Sequence, residues 1–552
     1  MRQTDRAALA PLALSDAVLD ARQRAGRFDV LVDAGRRAYA VPASASRHLV
    51  PRTKPDLQSA WQPLLAILAL QAVLSMRLAW SNTAFQDEAL YLWSGHLEIA
   101  HLLHGTPVPA FQTYFSGAPA LYPVLAAAAD HVGGIAMARL LSLGFMLAAT
   151  GLGYDVTRRL YDRRSGLFAA ALFAGTGSAQ FLSALATYDA LALCLLAAAT
   201  WLGVRAAWCA PRVRAALLVL ASIVLALADA AKYAAVLFDP VVVAVVVLAV
   251  WRLRGRRAGL ATAICITALT AAILDAALNV AGHSYWEGIT FTTLSRAAGT
   301  SSPLGIWYVS AGWVGAIMVL AVIGAAVTAH YGARLTTALA ATLAAAAFLA
   351  PAEQARIQVA TSLFKHVGFG AWFASIAAGY ALASLARAVP ASNGTRACRL
   401  CVTAVVLCAA LGAALSAGHF GQWPDSAAFI ARLRPVVAAY RGPVLLENES
   451  VPAYYLGSDL PWRTLHDTNY FDYVNPVTGA LEVGAAAYAD AIRHRYFSVV
   501  ALAADTPVDK AITGDLNAST HYQLAVVLPF VTSSYRSSYR IWIRVTGGRH
   551  PG

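Results

Sequence analysis

Asp87 and Glu88 stand side by side in Phe85-Gln86-Asp87-Glu88-Ala89-Leu90-Tyr91-Leu92-Trp93, directly after the first long apolar run. Adjacent carboxylates can take a proton in general base catalysis, hold a cation, or orient one another. An ionised acid inside a membrane span costs roughly 2.5–3.5 kcal/mol, so acids collect at functional or wet positions. Asp189, in Ala186-Thr187-Tyr188-Asp189-Ala190, opens another apolar run. It can bind a hydroxyl-rich substrate or cap a helix N-terminus. Lys232, in Asp229-Ala230-Ala231-Lys232-Tyr233, closes a run; it suits a phosphate or snorkels, with Asp229 as its expected ion-pair partner. Arg356 and Lys365, read as sharing one short loop, are further candidates for phosphate. His96, His101 and His104 follow the acid pair, and His283 precedes Glu287. Imidazole with carboxylate binds divalent metals, which makes His283 and Glu88 candidate ligands drawn from distant loops.

These residues need elements to position them, and composition says which kind. The 552 residues are 59% hydrophobic and 13% charged, against about 25% charged in an ordinary soluble domain. The expected fold class is a polytopic α-helical membrane protein with a C-terminal α/β domain outside the membrane. Residues 1–60 read as a polar cytoplasmic tail and 61–418 as the membrane domain. Eleven spans are expected. They run over 61–80, 135–154, 167–185, 190–207, 215–231, 234–251, 259–281, 306–329, 335–350, 367–386 and 400–417. The long 81–133 loop carries the acid pair, with 119–132 lying along the interface. On this count every Arg cluster faces the side of the N-terminal tail, as the positive-inside rule requires. Asp87, Glu88, Asp189, Lys232, Arg356 and Lys365 then share the outer face of the cell (inner) membrane. The net charge of +13 is thereby accounted for by cytoplasmic loops, not by nucleic acid.

From residue 419 the hydropathy falls. Short strands are expected over 444–446, 498–501, 523–528 and 538–544, and helices over 429–440 and 485–495. The six Cys lie in or beside apolar runs, so no disulfide framework is expected. No glycine-rich phosphate or dinucleotide loop is present. Chemistry outside the cell has no access to cytoplasmic nucleotides, so no nucleotide cofactor is expected.

The order of the pieces is familiar. A first span, then Asp87-Glu88 with Tyr91 three residues on, leads to Pro119-Ala120-Leu121-Tyr122-Pro123. Ala138-Arg139-Leu140-Leu141-Ser142, Thr187-Tyr188-Asp189 and Ala231-Lys232-Tyr233 follow. Over about 61–380 this resembles the GT-C glycosyltransferases, in particular the protein O-mannosyltransferase and lipid A aminoarabinose transferase group. The chain departs from that pattern in two places. Ser116-Gly117-Ala118-Pro119 replaces a Glu-Lys-Pro of the aminoarabinose branch, and Leu90 replaces an Arg after the acid pair.

The resemblance implies transfer of a sugar from a polyprenyl-phosphate carrier to a protein, glycolipid or polysaccharide acceptor at the outer face. It implies inversion, with Asp87 as general base and Glu88 supporting a metal or orienting Asp87. Asp189 holds hydroxyls, and Lys232, Arg356, Lys365 or a divalent cation meet the phosphate. Tyr91, Tyr122 and Arg139 line the substrate site. The competing class is a transporter or flippase for a lipid-linked or small solute, in which a carboxylate carries protons.

Overall fold

The computed structural model describes residues 57–388, 394–503 and 506–545. The polar tail before Leu57 lies outside the described residues. Ten described helices are long and apolar enough to cross a membrane, or eleven if one bent pair is a single span. The chain is a multi-pass membrane protein.

Helix α1 (Leu57–Ala79) is the first of these. Helix α2 (Gln86–His104) begins at the acid pair, so Asp87 and Glu88 occupy a first turn and not a loop. Helix α3 (Tyr122–Leu160) joins the expected interfacial segment to the second span across a kink at Gly133 and Gly134. Gly134 has φ 66°, a left-handed conformation that side-chain-bearing residues avoid. Helices α4 (Arg163–Gly175) and α5 (Gly177–Ala184) meet at 65°. Thr176 breaks them, and its hydroxyl accepts the Ala179 N–H to cap α5. This bent pair occupies the expected third span.

Helices α6 (Tyr188–Ala206), α7 (Pro211–Ala231), α8 (Asp239–Arg254) and α9 (Arg256–Ala281) follow, with a 3₁₀ turn over Tyr233–Phe238 before α8. Short α10 (His283–Ile289) leads to α11 (Pro303–Tyr331), α12 (Arg334–Ile357), α13 (Leu363–Ala388) and α14 (Gly394–Phe420). Arg356 and Lys365 are therefore not loop neighbours. Arg356 ends α12 and Lys365 starts α13. Helix α13 packs against α4, α11 and α12, and its interior face is lined by Trp372, Phe373 and Phe369.

The C-terminal domain starts with α15 (Ala427–Ala439), β1 (Val444–Leu446), α16 (Ser450–Leu456) and β2 (Leu465–Asp467). A hairpin of β3 (Asp472–Val474) and β4 (Leu481–Val483) precedes α17 (Gly484–Arg493). Strand β5 (Val499–Leu502), α18 (Pro507–Ala518), β6 (Tyr522–Val531) and β7 (Arg536–Arg544) complete it. The main sheet has the order β2-β1-β5-β7-β6, parallel among β2, β1 and β5 and antiparallel beyond. The four expected strands fall at β1, β5, β6 and β7. The three-residue strands β2, β3 and β4, with α16 and α18, were not expected from periodicity. Helix α16 packs directly on α2, which joins the C-terminal domain to the acid pair.

Candidate active site

Four charged side chains from four elements meet at one end of the helical bundle. Asp87 is in the first turn of α2 and Asp189 in the first turn of α6. Lys232 is the residue after α7, and Lys365 is in the first turn of α13. Lys365 Nζ lies 2.5 Å from Asp87 Oδ2 and 3.8 Å from Asp189 Oδ2. Lys232 Nζ lies 2.8 Å from Asp189 Oδ1. The result is an alternating line, Asp87–Lys365–Asp189–Lys232, that is neutral as a whole. Buried ions persist only when paired in this way.

Exposure separates the members. The side chains of Lys365 and Asp189 are 2% and 0% exposed, while that of Asp87 is 30% exposed. Asp87 is thus the member that faces the open side. Neither Asp189 oxygen makes a well-directed hydrogen bond, and the buried Thr187 hydroxyl lacks a partner too. The Asp189 oxygens are served by the two ammonium groups, so the Thr187 hydroxyl is the group that marks a place for a ligand or water.

Local sequence builds this geometry. The Ala118 N–H donates to the Ala230 carbonyl and the Tyr233 N–H to the Ser116 carbonyl. These bonds clip the 116–118 segment to the end of α7 and fix Lys232. A Cβ at Gly117 would stand 2.4 Å from the Ala231 oxygen, so the clip requires glycine there. Lys232 Nζ sits over the Tyr188 ring at 4.5 Å, a cation–π contact. Tyr188 in turn packs on Tyr91 at 4.6 Å. His366 lies within electrostatic reach of Lys232, Asp189 and Lys365, and of Arg296 from the segment before α11.

Glu88 has a different task from Asp87. It is fully buried. Its oxygens accept from Arg139 Nε (2.8 Å), Arg139 Nη2 (2.7 Å), the Phe85 N–H (2.9 Å) and the Ala186 N–H (2.7 Å). Four donors use up its lone pairs, which corrects the expectation that Glu88 ligates a metal. Arg139 is likewise committed, adding bonds to the Ala79 and Asn82 carbonyls, so it ties α3 to the turn before α2 instead of lining a substrate site.

Other expectations are corrected as well. The His283 side chain is 81% exposed and contacts Glu287 of its own helix at 3.4 Å. No group of three or more His, Cys, Asp or Glu residues able to hold a metal occurs among the described residues. Arg356 is exposed and paired with Glu353 one turn away, outside the charged line. Tyr122 is buried and bonded to Ser142 at 2.8 Å. Asp229 does not pair with Lys232; it faces Asp239 across the 3₁₀ turn. Of the expected site residues, Asp87, Asp189, Lys232 and Lys365 come together, with Tyr91 beneath them. His366 and Tyr188 were missed, although each is adjacent in sequence to a charged member.

A cavity of about 800 Å³ opens at the start of α13, and none of the four charged residues is in its lining. Its wall is mostly apolar, with Val309 and Trp313 from α11, Leu411 and Leu415 from α14, and Phe364, the residue before Lys365.

The helical bundle with its C-terminal α/β domain is the GT-C glycosyltransferase fold. ArnT from Cupriavidus metallidurans bound to undecaprenyl phosphate superimposes with a TM-score of 0.55 at 14% identity, covering 87% of this chain and 98% of that one. The Archaeoglobus fulgidus oligosaccharyltransferase in its apo form gives 0.53 at 12% identity, covering 85% and 74%. The mycobacterial arabinofuranosyltransferase AftD gives 0.51 at 14% identity, covering 88% of this chain and 40% of that one. No protein-family model and no curated protein sequence matches the chain.

Proposed function

We propose that this protein is a membrane glycosyltransferase that moves a sugar from a polyprenyl-phosphate carrier to an acceptor at the outer membrane face. The observation that carries the reading is the convergence of Asp87, Lys365, Asp189 and Lys232, with an apolar-walled cavity opening at Phe364, the residue before Lys365. A lipid-phosphate donor requires this combination of cations, hydroxyl acceptors and adjoining hydrocarbon-compatible space. Two of the solved structures that share the fold are described as bound to undecaprenyl phosphate and to dolichol phosphate, which supports a carrier of this class.

In this mechanism Asp87 takes the proton of an acceptor hydroxyl as its oxygen attacks the anomeric carbon. The bond from that carbon to the phosphate oxygen breaks, and the carrier leaves as lipid phosphate. One base and one displacement give inversion at the anomeric carbon. The sugar gains oxocarbenium character as the bond stretches. Lys365 bridges base and phosphate. Without donor it neutralises Asp87; an incoming phosphate competes for the ammonium and frees the carboxylate to accept a proton. Lys232, and Arg296 from the neighbouring segment, add positive charge where the leaving group forms. The unpartnered Thr187 hydroxyl, and Asp189 as its ammonium partners turn toward the phosphate, bind sugar hydroxyls.

A divalent cation does not fit this arrangement. Lysine ammonium groups already stand against Asp87 and Asp189, and Glu88 is saturated by donors. One solved structure of the same fold is described as a complex with zinc and sulfate. In the proposed mechanism the cationic role falls to Lys365, Lys232 and Arg296.

The charged line sits at helix ends, not mid-membrane, which favours surface chemistry over a transport path. The test is to offer purified protein in nanodiscs a panel of polyprenyl-phosphate monosaccharides with a membrane extract as acceptor source. Release of polyprenyl phosphate, with the transferred sugar inverted by NMR, supports the reading. Movement of the donor across the bilayer without release refutes it.

A further inference from the structure

The turn that presents Asp87 is held from two sides, and only one of them is the membrane domain. On the span side, Arg139 donates to the Ala79, Asn82 and Thr83 carbonyls and to Glu88. On the other side, the chain beyond the last span closes over the same residues. The Tyr455 hydroxyl of α16 accepts the Ala84 N–H at 2.8 Å. Trp423 Nε1 donates to the Thr83 carbonyl at 3.1 Å, and the Ser426 N–H donates to the Thr83 hydroxyl at 2.9 Å. Asn82 Nδ2 reaches the Phe420 and Trp423 carbonyls at 3.3 and 3.1 Å. The Trp423 ring packs on Phe85, the residue that opens α2, at 5.0 Å between centroids. Thr83 is the meeting point, because its one carbonyl accepts from both Arg139 and Trp423.

We infer that the chain beyond the last span, the 421–426 segment and the C-terminal domain together, positions the Asp87 carboxylate, with Trp423 and Tyr455 as the positioning residues. Asp87 is four residues from Thr83 and three from Ala84, on a helix whose first turn has no freedom once those backbone groups are fixed. The Lys365 contact at 2.5 Å comes from a separate span. Its alignment with Asp87 therefore depends on where the domain sets the start of α2. Neither Tyr455 nor Trp423 is among the residues of the charged line, so each acts through the backbone of 83–85. A second clamp lies one face away. The Tyr454 hydroxyl donates to Asp130 Oδ1 at 2.7 Å, and His96 of α2 contacts Asp130 Oδ2 at 2.7 Å. The domain thus also reaches α2 away from its start, through Asp130 of α3.

The inference rests on the reading of Asp87 as the base. The experiment uses the full-length protein in nanodiscs and follows polyprenyl phosphate release from the synthetic polyprenyl-phosphate monosaccharide that the wild type turns over. Tyr455→Phe removes the acceptor of the Ala84 N–H, and Trp423→Phe removes the donor to Thr83 together with part of the ring that packs on Phe85. Each is expected to lower kcat by roughly tenfold, because small misplacement of a reacting group is costly. KM for the donor should stay within about twofold, since donor contacts are not touched, while the thermal midpoint falls by no more than a lost hydrogen bond accounts for. Adding Tyr455→Phe to Asp87→Asn should cause no further loss, because both act through one carboxylate. Wild-type kcat in both Tyr455→Phe and Trp423→Phe, or a further loss in the double variant, overturns the positioning role while an inactive Asp87→Asn leaves the base assignment standing. Full turnover by Asp87→Asn overturns the base assignment itself, and the positioning role with it.

Discussion

At the residue scale, the site depends on an ion pair that must both exist and break. Lys365 at 2.5 Å from Asp87 occupies a carboxylate oxygen that the proposed mechanism needs for the acceptor proton. In the proposed mechanism donor phosphate relieves that constraint by attracting the same ammonium. Lys365→Ala should therefore weaken donor binding, seen as a raised KM, and also lower kcat because the leaving phosphate loses its counter-charge. Lys365→Arg restores charge but not the compact geometry, and should rescue KM more than kcat. Steady-state kinetics on the two variants checks the split. Asp189→Asn should raise KM and leave Lys232 and Lys365 without half of their counter-charge, since both contact Asp189.

These residue pairings were partly legible in the sequence. The types were, because a lysine or carboxylate at the end of an apolar run is unusual enough to single out. The partners were not, because Asp87 and Lys365 are 278 positions apart and no local pattern couples them. Nearness misled in the case of Asp229, three residues from Lys232 but turned toward Asp239. Arg139 did carry a readable signal. An arginine inside an apolar run needs a buried anion, and Glu88 was the unmatched acid at hand.

At the scale of elements, the α2 start is a lock made of one buried ion pair and one docked helix. Breaking a buried pair by removing one partner costs roughly 3–5 kcal/mol. Arg139→Met should lose that much, read as a lowered thermal midpoint in detergent. Helix α16 adds a pH-dependent component. Burial, with the Asp467 carboxylate nearby, pushes the Glu449 carboxyl up from 4.5 to about 7. A carboxyl raised on folding stabilises the folded state below its unfolded value, and that contribution is lost as pH rises through about 7. Protection factors for α16 amides, taken relative to intrinsic exchange at each pH, should be higher at pH 5 than at pH 8, and Glu449→Gln should flatten the difference. The break between α4 and α5 and the short strands β2, β3 and β4 escaped sequence reading for a common reason. Hydropathy windows average over a 65° bend, and three residues are too few to display alternation.

At the scale of the molecule, ten or eleven apolar helices carry a charged line at one end and a C-terminal domain against it. The spans were readable because hydropathy is a local property. The α2 helix was not read as one, because its apolar and polar residues follow neither a span nor a simple alternation. The positive-inside pattern sets an expected sidedness. A phosphatase reporter fused after Arg544 should be active outside the cytoplasm, and one fused after Arg254 should be inactive.

The account stands on Asp87 as the proton acceptor in sugar transfer from a lipid phosphate. Its most direct measurement is single-turnover release of polyprenyl phosphate by wild-type protein and by Asp87→Asn, side by side in nanodiscs loaded with the same donor and acceptor extract. The account predicts release by the wild type and a loss of roughly a hundredfold or more in the variant, with donor still bound. Equal rates in the two proteins contradict it.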